Sequence, residues 1–249
     1  MGVLLVESPG SEQFRLQLKE ELRKLGYVDG QSIRFEFRSD QGKGSRLPEL
    51  AADLVQLKVD IIVTWFTPAA RAAREATREI PIVIALAGNP VETGLIDSLA
   101  RPGGNITGVS GVGGELAGKC AELLAEILPS SRRAVALGNA SDPFSKPFLE
   151  KILLGGKAAG INIESMMING PSELEAAFAA MAQHRPDAVI VQPSLGLKRP
   201  IELALQYRIP AVSIFREFAE EGGLFSYSSL NADIYRRTAS FVDKILSGA

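Results

Sequence analysis

The residues best suited to hold a small anion lie in one short turn. Thr67 and Pro68 come directly after Thr64-Trp65-Phe66, which continues a β-branched run, and an alanine-rich segment follows. This order is typical of a buried strand, a turn, and a helix with Thr67 as N-cap and Pro68 at the first helical position. The N–H groups of the first helical turn, such as those of Ala69 and Ala70, are then expected to be unpaired, which suits a carboxylate.

The two aromatic residues of this turn have two interpretations. Trp65, the single tryptophan of the chain, and Phe66 are expected on the rim of the site. The alternative is that Thr67 only caps its own helix and that both aromatic side chains fill the core beneath it. The turn alone does not separate the two, because threonine is a common N-cap whether or not a ligand is bound.

Short polar side chains also follow other strand-like segments. Hydroxyl, amide and guanidinium groups at such strand ends suit a small polar ligand, because ligands of open α/β sheets bind at the carboxyl ends of the strands. Each is alternatively a cap or a turn former, which is the commoner role of Ser, Thr and Asn there. The predicted ligand-binding residues are Ser8, Thr64, Trp65, Phe66, Thr67, Pro68, Asn89, Asn139, Ser194, Arg216 and Tyr227.

Sequence signals for catalysis or a cofactor are weak. Gly113–Cys120 has the spacing of a phosphate-binding P-loop, but Cys120 stands where Ser or Thr should coordinate magnesium, and the segment also fits the start of a helix. The chain has one cysteine and one histidine, His184, which leaves little for a soft-metal site or a Ser-His-Asp triad. The sequence therefore predicts no catalytic residue, no metal and no cofactor, and a protein that is not an enzyme.

Composition indicates a packed globular protein that does not bind nucleic acid. Of the 249 residues, 46% are hydrophobic and 22% are charged, and the net charge is −2, so no basic excess attracts nucleic acid or anionic lipid. No apolar run is long enough to cross a bilayer, so direct membrane insertion is not expected. The chain begins in a strand-like segment, Met1–Val6, which predicts either a cytoplasmic protein or one whose leader is absent from this sequence.

Strand-like and helix-like segments alternate along the first part of the chain. Apolar residues at helical spacing predict helices at Phe14–Leu25, Leu47–Leu57, from Pro68 onward, and at Val91–Leu99. Short β-branched or alternating runs predict strands at Val3–Val6, Ile33–Phe37, Ile61–Val63, Ile80–Ala85 and Asn105–Val109. Strand, helix, strand, helix is typical of a parallel doubly wound sheet.

A second set of such segments follows a glycine-rich link. Helices are predicted at Glu115–Leu128, Phe144–Ala159, Ser172–His184, Ile201–Tyr207 and Ala232–Leu246. Strands are predicted at Ala134–Gly138, Ile161–Met167, Asp187–Val191, Ala211–Ile214 and Leu224–Ser228, the last as a strand that crosses back. The predicted fold is α/β with two lobes, each a doubly wound parallel sheet with flanking helices, and a ligand cleft between them. Residues 1–110 and 229–249 are assigned to the N-terminal lobe, and residues 111–228 to the C-terminal lobe.

Several motifs carry a resemblance over nearly the whole chain. The most specific is Arg-Pro-Gly-Gly-Asn-Ile-Thr-Gly at Arg101–Gly108, which follows the Asn89-Pro90-Val91 turn. The others are Phe35–Phe37, Arg46–Val55, Thr67–Ala70, Ile80–Val83, Arg216–Phe218 and Ser226-Tyr227. Together these segments resemble the ABC-transporter substrate-binding family that includes tryptophan and tyrosine binders.

The resemblance implies a type I periplasmic-binding fold, with two lobes that close on a small-molecule ligand. It implies that Thr67 and the turn before it hold the ligand carboxylate, with Ser8 beside it. It also implies an ABC transporter membrane permease as partner and a periplasmic or extracytoplasmic location. The alternative is a cytosolic ligand-sensing or regulatory module of the same fold, and the true start of the gene would discriminate the two.

Three features depart from the family pattern. Asn89 stands where the family commonly has Asp, so this turn lacks a charge that could pair with the ammonium of an amino acid. We therefore expect aromatic acids to compete with amino acids, unless another carboxylate such as Glu217 takes over the role. Thr64-Trp65-Phe66 is bulkier than is common before Thr-Pro, which predicts a smaller or flatter pocket. A leader and a continuation past Ile245–Gly248 are expected in relatives and are absent from this sequence.

Overall fold

The computed structural model describes residues 1–8, 10–229 and 231–248 and has two compact units. The first unit contains Met1–Gly111 and Leu230–Ala249, and the second contains Val112–Ser229. The strands are β1 (Gly2–Leu5), β2 (Glu36–Ser39), β3 (Ile62–Trp65), β4 (Ile82–Gly88), β5 (Ile106–Gly111), β6 (Arg133–Asn139), β7 (Asn162–Ile168), β8 (Ala188–Val191), β9 (Ala211–Ser213) and β10 (Phe225–Ser226). The helices are α1 (Ser11–Lys24), α2 (Leu47–Gln56), α3 (Thr67–Ala76), α4 (Gly113–Ile127), α5 (Ser145–Ala159), α6 (Leu174–His184), α7 (Lys198–Tyr207), α8 (Arg216–Glu220) and α9 (Asn231–Leu246).

The first unit is built on a parallel sheet in the order β2-β1-β3-β4-β5. The inner strands β1 and β3 are short and fully buried, because helices cover the sheet on both faces. Since β1, β3 and β4 are neighbours in one parallel sheet, the loops that leave their carboxyl ends emerge side by side. Ser8 lies in the loop after β1, Phe66 directly follows β3, and Asn89 directly follows β4.

The two faces of this sheet contact different helices. Trp65 stacks against Phe14 of α1 and lies near Tyr235 of α9. A side chain at Gly2 would instead meet Leu54 of α2 at 3.1 Å. Because Gly2 pairs with Ile62 and side chains alternate along a strand, Ile62 and Thr64 point to the α2 face, and Trp65 points to the α1 and α9 face.

The second unit repeats this plan with a parallel sheet in the order β10-β9-β8-β6-β7. Its central strand β8 is fully buried, and α6 and α7 supply apolar side chains to one core cluster with it. Two parallel sheets flanked by helices confirm the predicted α/β fold class.

One predicted helix is absent. Val91–Leu99 was expected to be helical, but the described residues there form a series of turns. Pro90 accepts the N–H groups of both Leu95 and Ile96, and Gly94 has φ 70°. A left-handed residue one turn into the segment interrupts the helical hydrogen-bond pattern, so the helix does not propagate.

Two predicted strands differ in position or in role. The strand expected at Ile33–Phe37 begins at Glu36, because the preceding residues fold back in a tight turn in which Val28 accepts three N–H groups. The segment expected to cross back, Leu224–Ser228, instead contains β10, which pairs with β9 at the edge of the second sheet. Alternation of apolar and polar residues predicts a strand, but it does not predict where a tight turn delays its start or with which strand it pairs.

The P-loop alternative at Gly113–Cys120 is excluded. The helix α4 begins at Gly113, so the residues that would form the phosphate-binding loop are already helical. Cys120 is fully buried in this helix, and burial raises the pKa of its thiol to about 12. The cysteine is therefore a core residue.

Candidate functional site

Two hydrogen bonds tie together the loops at the carboxyl edge of the first sheet. The indole Nε1 of Trp65 donates to Ser8 Oγ at 3.2 Å, which connects the loop after β1 to the end of β3. The Gly88 N–H donates to Thr67 Oγ1 at 3.1 Å, which connects the end of β4 to the start of α3. Both bonds are buried. Ser8, Thr67 and the residue after Gly88, Asn89, are therefore brought together at one edge of the sheet, as the sequence predicted for strand ends.

The N-cap of α3 is Phe66, and the assignment of this role to Thr67 was wrong. The Phe66 carbonyl accepts the Ala70 N–H at 3.2 Å, Thr67 is the first helical residue, and no side-chain capping bond is formed. The reason is that the Thr67 hydroxyl accepts a bond from the neighbouring strand end. The expectation that the Ala70 N–H is unpaired is likewise corrected. The donors left without an intrahelical partner are the N–H groups of Thr67 and Ala69, since Pro68 has none.

The backbone of Phe66 is strained. Its φ of 71° and ψ of 159° lie in a region that is essentially restricted to glycine. Its N–H donates to the Leu86 carbonyl at 2.9 Å, and its ring packs edge-on against Trp65 at 5.3 Å. The conformation turns the chain sharply out of β3, so that α3 starts directly at the sheet edge and its first N–H groups point away from the body of the helix along its axis.

Trp65 lies in the core and not on the rim where the sequence analysis placed it. It is fully buried, and its ring stacks on Phe14 with the centroids 4.4 Å apart. Its indole N–H reaches the edge only through Ser8. Phe66 is also largely buried. The alternative interpretation, in which both aromatic residues fill the core beneath the turn, therefore describes their positions.

Thr64 is a candidate whose side chain lies within a strand and not in the loop that follows it. It is fully buried within β3 on the α2 face, and its hydroxyl has no hydrogen-bond partner among the described residues. An unpartnered buried hydroxyl is costly, since it loses its bonds to water without replacement. This position does not bring Thr64 to the Ser8 and Thr67 cluster.

Asn89 has a left-handed backbone and a hydrogen-bonded side chain. Its φ is 43°, a conformation that asparagine tolerates better than most residues. Its carbonyl accepts the Thr93 N–H at 2.9 Å, and its Nδ2 donates to Glu92 Oε2 at 2.9 Å. The predicted amide at the end of β4 is therefore already bonded to a carboxylate of the same turn.

Asp40 is a buried carboxylate at this edge that sequence reasoning missed. It follows β2, and its Oδ1 accepts the Glu7 N–H at 2.7 Å and the Gly42 N–H at 3.1 Å. Burial raises the pKa of the Asp40 carboxyl, although the two N–H groups act in the opposite direction. Its place directly after a strand was the same signal that selected Ser8 and Asn89.

Replacing Asp40 by asparagine should make the protein at least as stable as the parent at neutral pH. Asparagine keeps the acceptor for both N–H groups and has no charge to desolvate. The pKa of the Asp40 carboxyl is higher in the folded state than in the unfolded state, so the folded protein keeps this proton to a higher pH. The stability of the parent therefore falls as the pH rises from the unfolded-state pKa to the folded-state pKa. Thermal melts from about pH 3 to about pH 8 should show this fall in the parent and not in Asp40→Asn. Asp40→Ala, which lacks the acceptor, should be destabilised throughout, and equal pH profiles for parent and Asp40→Asn would contradict the assignment.

In the second unit, Asn139 and Ser194 belong to a buried polar cluster. Asn139 Nδ2 lies 3.5 Å from Ser194 Oγ, and the Asn139 N–H donates to Gln192 Oε1 at 2.8 Å. Gln192 is fully buried, and its Nε2 donates to Asp142 Oδ2 at 2.9 Å, while Ser145 Oγ lies 2.6 Å from Gln192 Oε1. Sequence reasoning missed Gln192 and Asp142, because the position of a polar residue near a strand end does not show whether its side chain points into the core.

The remaining two candidates, Arg216 and Tyr227, lie nearer the surface. Arg216 starts α8, has an exposed side chain, and donates to Glu220 Oε1 at 2.7 Å. Tyr227 follows β10 and is 40% exposed, and its N–H donates to the Ser213 carbonyl. The structure does not bring either side chain into the Gln192 cluster.

A separate apolar cavity of about 360 Å³ lies at the opposite edge of the second sheet. Its lining includes Leu205, Arg208, Pro210 and Leu224, at the amino ends of β9 and β10. None of the predicted ligand-binding residues lines it. Among the residues that the structure describes, no group of three or more His, Cys, Asp or Glu side chains is arranged to hold a metal ion, and no helix is long and apolar enough to span a membrane.

Comparison with known proteins identifies the family. The sequence profile of the ABC transporter substrate binding protein family matches residues 2–249. The chain belongs to this family. The resemblance inferred from the Arg101–Gly108 motif and the other segments is thereby confirmed. The family consists of substrate-binding proteins and not of enzymes, in agreement with the sequence analysis.

Individual relatives of this substrate-binding family are moderately similar. A tyrosine-binding protein of Clostridioides difficile is 30% identical over 177 residues, which cover 71% of this chain and 51% of the relative. The chain thus spans about half the length of this curated relative. An ABC domain from Streptococcus pneumonia in complex with L-Trp has a TM-score of 0.89 at 25% identity, with 100% of this chain and 84% of the other covered.

A third relative shows the same fold. The ligand-free, open structure of a Clostridium difficile substrate binding protein with adhesive properties has a TM-score of 0.63 at 25% identity, with 100% of this chain and 85% of the other covered. These similarities, together with the two parallel sheets, confirm the predicted type I periplasmic-binding fold.

Proposed function

We propose that this chain is the solute-binding component of an ABC importer and captures a small carboxylate-bearing solute, either an amino acid or an aromatic acid. The observation that supports it most is the start of α3 at the carboxyl edge of the first sheet, where Thr67 and Ser8 are fixed by buried bonds. The named ligands of two relatives, tyrosine and L-Trp, each have a carboxylate and an aromatic ring.

The chemistry of the proposed site is carboxylate recognition by oriented donors. The N–H groups of Thr67 and Ala69 point out of the first turn of a ten-residue helix, with its positive end behind them. The Thr67 hydroxyl accepts the Gly88 N–H, so its own hydrogen is still available for a carboxylate oxygen. Such charge-assisted bonds are stronger than neutral ones.

Calorimetric titration with L-tyrosine and L-tryptophan tests this function. We expect at least one of them to bind, and its carboxamide, in which a neutral amide replaces the carboxylate, to bind about tenfold to a hundredfold more weakly. Native mass spectrometry of freshly purified protein would identify a retained solute of another kind. Failure of aromatic amino acids and aromatic acids to bind, or equal affinity for the acid and the carboxamide, would overturn the proposal.

We extend the proposal to lobe closure on the ligand, with Asn139, Ser194, Arg216 and Tyr227 as ligand contacts from the second unit. Binding is then expected to reduce the radius of gyration, because loops of both units must exclude water from one small molecule. Small-angle scattering with and without saturating ligand measures this. An unchanged radius at saturation would reject closure. The membrane permease as partner and an extracytoplasmic location belong to the same proposal.

A further inference from the structure

We propose that Gln192 holds the loop after β6 in its ligand-binding shape, so that Asn139 presents a side-chain N–H to an oxygen of the solute. This inference rests on the proposed function, in which Asn139 contacts the ligand, and it adds a positioning residue behind that contact. We call residues 139–145, which lead from the end of β6 to the start of α5, the β6 loop. Gln192 directly follows β8, the strand that pairs with β6.

The side chain of Gln192 reaches the β6 loop at three points. Its Oε1 accepts the Asn139 N–H at 2.8 Å and lies 2.6 Å from Ser145 Oγ. Its Nε2 donates to Asp142 Oδ2 at 2.9 Å. A backbone N–H needs an acceptor and a carboxylate needs a donor, so this orientation of the amide satisfies both. One side chain therefore connects the two ends and the middle of the loop to the end of β8.

The amide of Gln192 serves the loop and not the core around it. Gln192 is fully buried and follows four buried apolar residues of β8, so an apolar side chain would continue this strand without the cost of burying an amide. The backbone bonds of the loop point elsewhere. The Ala140 N–H donates to the Ile168 carbonyl of β7, and the Asp142 N–H donates to the Asn139 carbonyl within the loop.

The β6 loop also determines which end of the Asn139 amide is offered to a ligand. Asn139 Oδ1 accepts the Ser141 N–H at 3.1 Å, so the remaining end is Nδ2, which lies 3.5 Å from Ser194 Oγ. Nδ2 has two hydrogens, and Ser194 can accept only one of them. The second hydrogen has no acceptor among the residues that the structure describes. Its partner in a complex is therefore an acceptor, such as a carboxylate, carbonyl or hydroxyl oxygen of the solute.

The expected size of the effect follows from the population of the binding shape. Without the bonds to Gln192, the β6 loop can adopt other shapes in which the Asn139 amide points elsewhere. Apparent affinity falls in proportion to the fraction of molecules that have the binding shape. A loop that keeps this shape about one-tenth of the time lowers affinity about tenfold.

Gln192→Met tests the inference, because methionine has a similar length and volume and forms none of the three bonds. The probe is L-tyrosine or L-tryptophan, whichever binds the parent more tightly, in a calorimetric titration. We expect affinity to fall by about tenfold. The melting temperature should fall as well, since the Asn139 N–H and Asp142 Oδ2 lose a buried partner.

An exchange of donor and acceptor tests whether the bonds themselves position the loop. In Gln192→Glu combined with Asp142→Asn, the asparagine can donate to the glutamate, whose oxygens still accept the Asn139 N–H. The asparagine also keeps an acceptor for the Phe144 N–H. This double variant should bind within about threefold of the parent. Gln192→Glu alone places two carboxylates at the same bond, and their repulsion should keep affinity low.

Ser213→Ala is the matched control, because it also removes a buried side-chain bond near the end of β8. Ser213 Oγ donates to the Val191 carbonyl at 2.8 Å, and this bond does not involve the β6 loop. The control should lower the melting temperature and leave affinity within about twofold of the parent.

The outcomes separate the inference from the proposed function. If Gln192→Met is less stable but binds as the parent does, Gln192 contributes only stability, and the inference is wrong while the proposed function stands. Failure of the double variant to recover affinity would also overturn it. If Gln192→Met does not fold, Gln192→Glu and the double variant decide the question. Failure of both probes to bind the parent would reject the inference, and failure of aromatic acids as well would reject the proposed function.

Discussion

Replacing Thr67 by valine should weaken ligand binding by about tenfold to a hundredfold and lower the free energy of unfolding by about 1 to 3 kcal/mol. Valine has nearly the shape of threonine but no hydroxyl, so the buried Gly88 N–H loses its acceptor and the ligand carboxylate loses a donor. Helix capping contributes nothing to this loss, because Phe66 is the N-cap and no side-chain capping bond exists. Calorimetric titration gives the affinity, and thermal denaturation gives the stability.

Thr67→Ser is the control for both effects. Serine keeps the hydroxyl and loses only a methyl group, so stability and affinity should remain close to those of the parent. If Thr67→Val is less stable but binds within about twofold of the parent, the hydroxyl only fastens α3 to the end of β4 and does not contact the ligand. If neither property changes, the Gly88 bond does not contribute in solution.

Replacing Trp65 by alanine should produce the largest loss of stability, about 3 to 5 kcal/mol. The side chain is fully buried and stacks on Phe14 at 4.4 Å, so its removal leaves a large cavity against α1. The variant also loses the donor that fixes Ser8, and we expect weaker ligand binding in the fraction that remains folded. Chemical denaturation followed by far-ultraviolet circular dichroism measures the change, because the chain has no other tryptophan to follow by fluorescence.

Trp65→Phe separates packing from hydrogen bonding. Phenylalanine fills most of the space and stacks on Phe14, but it cannot donate to Ser8. We expect a loss of only about 1 to 2 kcal/mol, with ligand affinity reduced if Ser8 contacts the carboxylate. A loss of less than about 1 kcal/mol in Trp65→Ala would mean that Trp65 is not in the core of the folded protein in solution.

Most of the architecture was predictable from local sequence patterns. Short β-branched runs such as Ile61–Val63 and helical spacing such as Leu47, Leu50 and Leu54 reflect burial on a strand or one face of a helix. These patterns led to the α/β fold with two parallel sheets, which the structure confirms. The exceptions were at places where a single turn residue decides the outcome, such as Gly94 in the segment expected to be helical.

The family was also accessible from the sequence, because its motifs are contiguous. Arg101–Gly108 is recognisable without knowledge of the fold, and the match to residues 2–249 confirms what it indicated. The approximate location of the candidate site followed in the same way, since parallel strands place their carboxyl ends together. Ser8, Thr67 and Asn89 do lie at one edge of the first sheet.

Only the tertiary structure determined what each of these side chains bonds to. Thr67 accepts a bond from Gly88, 21 residues away, and Trp65 donates to Ser8, 57 residues away. Such partners depend on the order of β1, β3 and β4 in the sheet, which residue spacing along the chain does not contain. The same holds for Gln192, whose partners Asn139 and Asp142 reach it only through the pairing of β6 with β8. Periodicity reports whether a side chain is buried, whereas its hydrogen-bond partner is set by packing between segments that are distant in sequence.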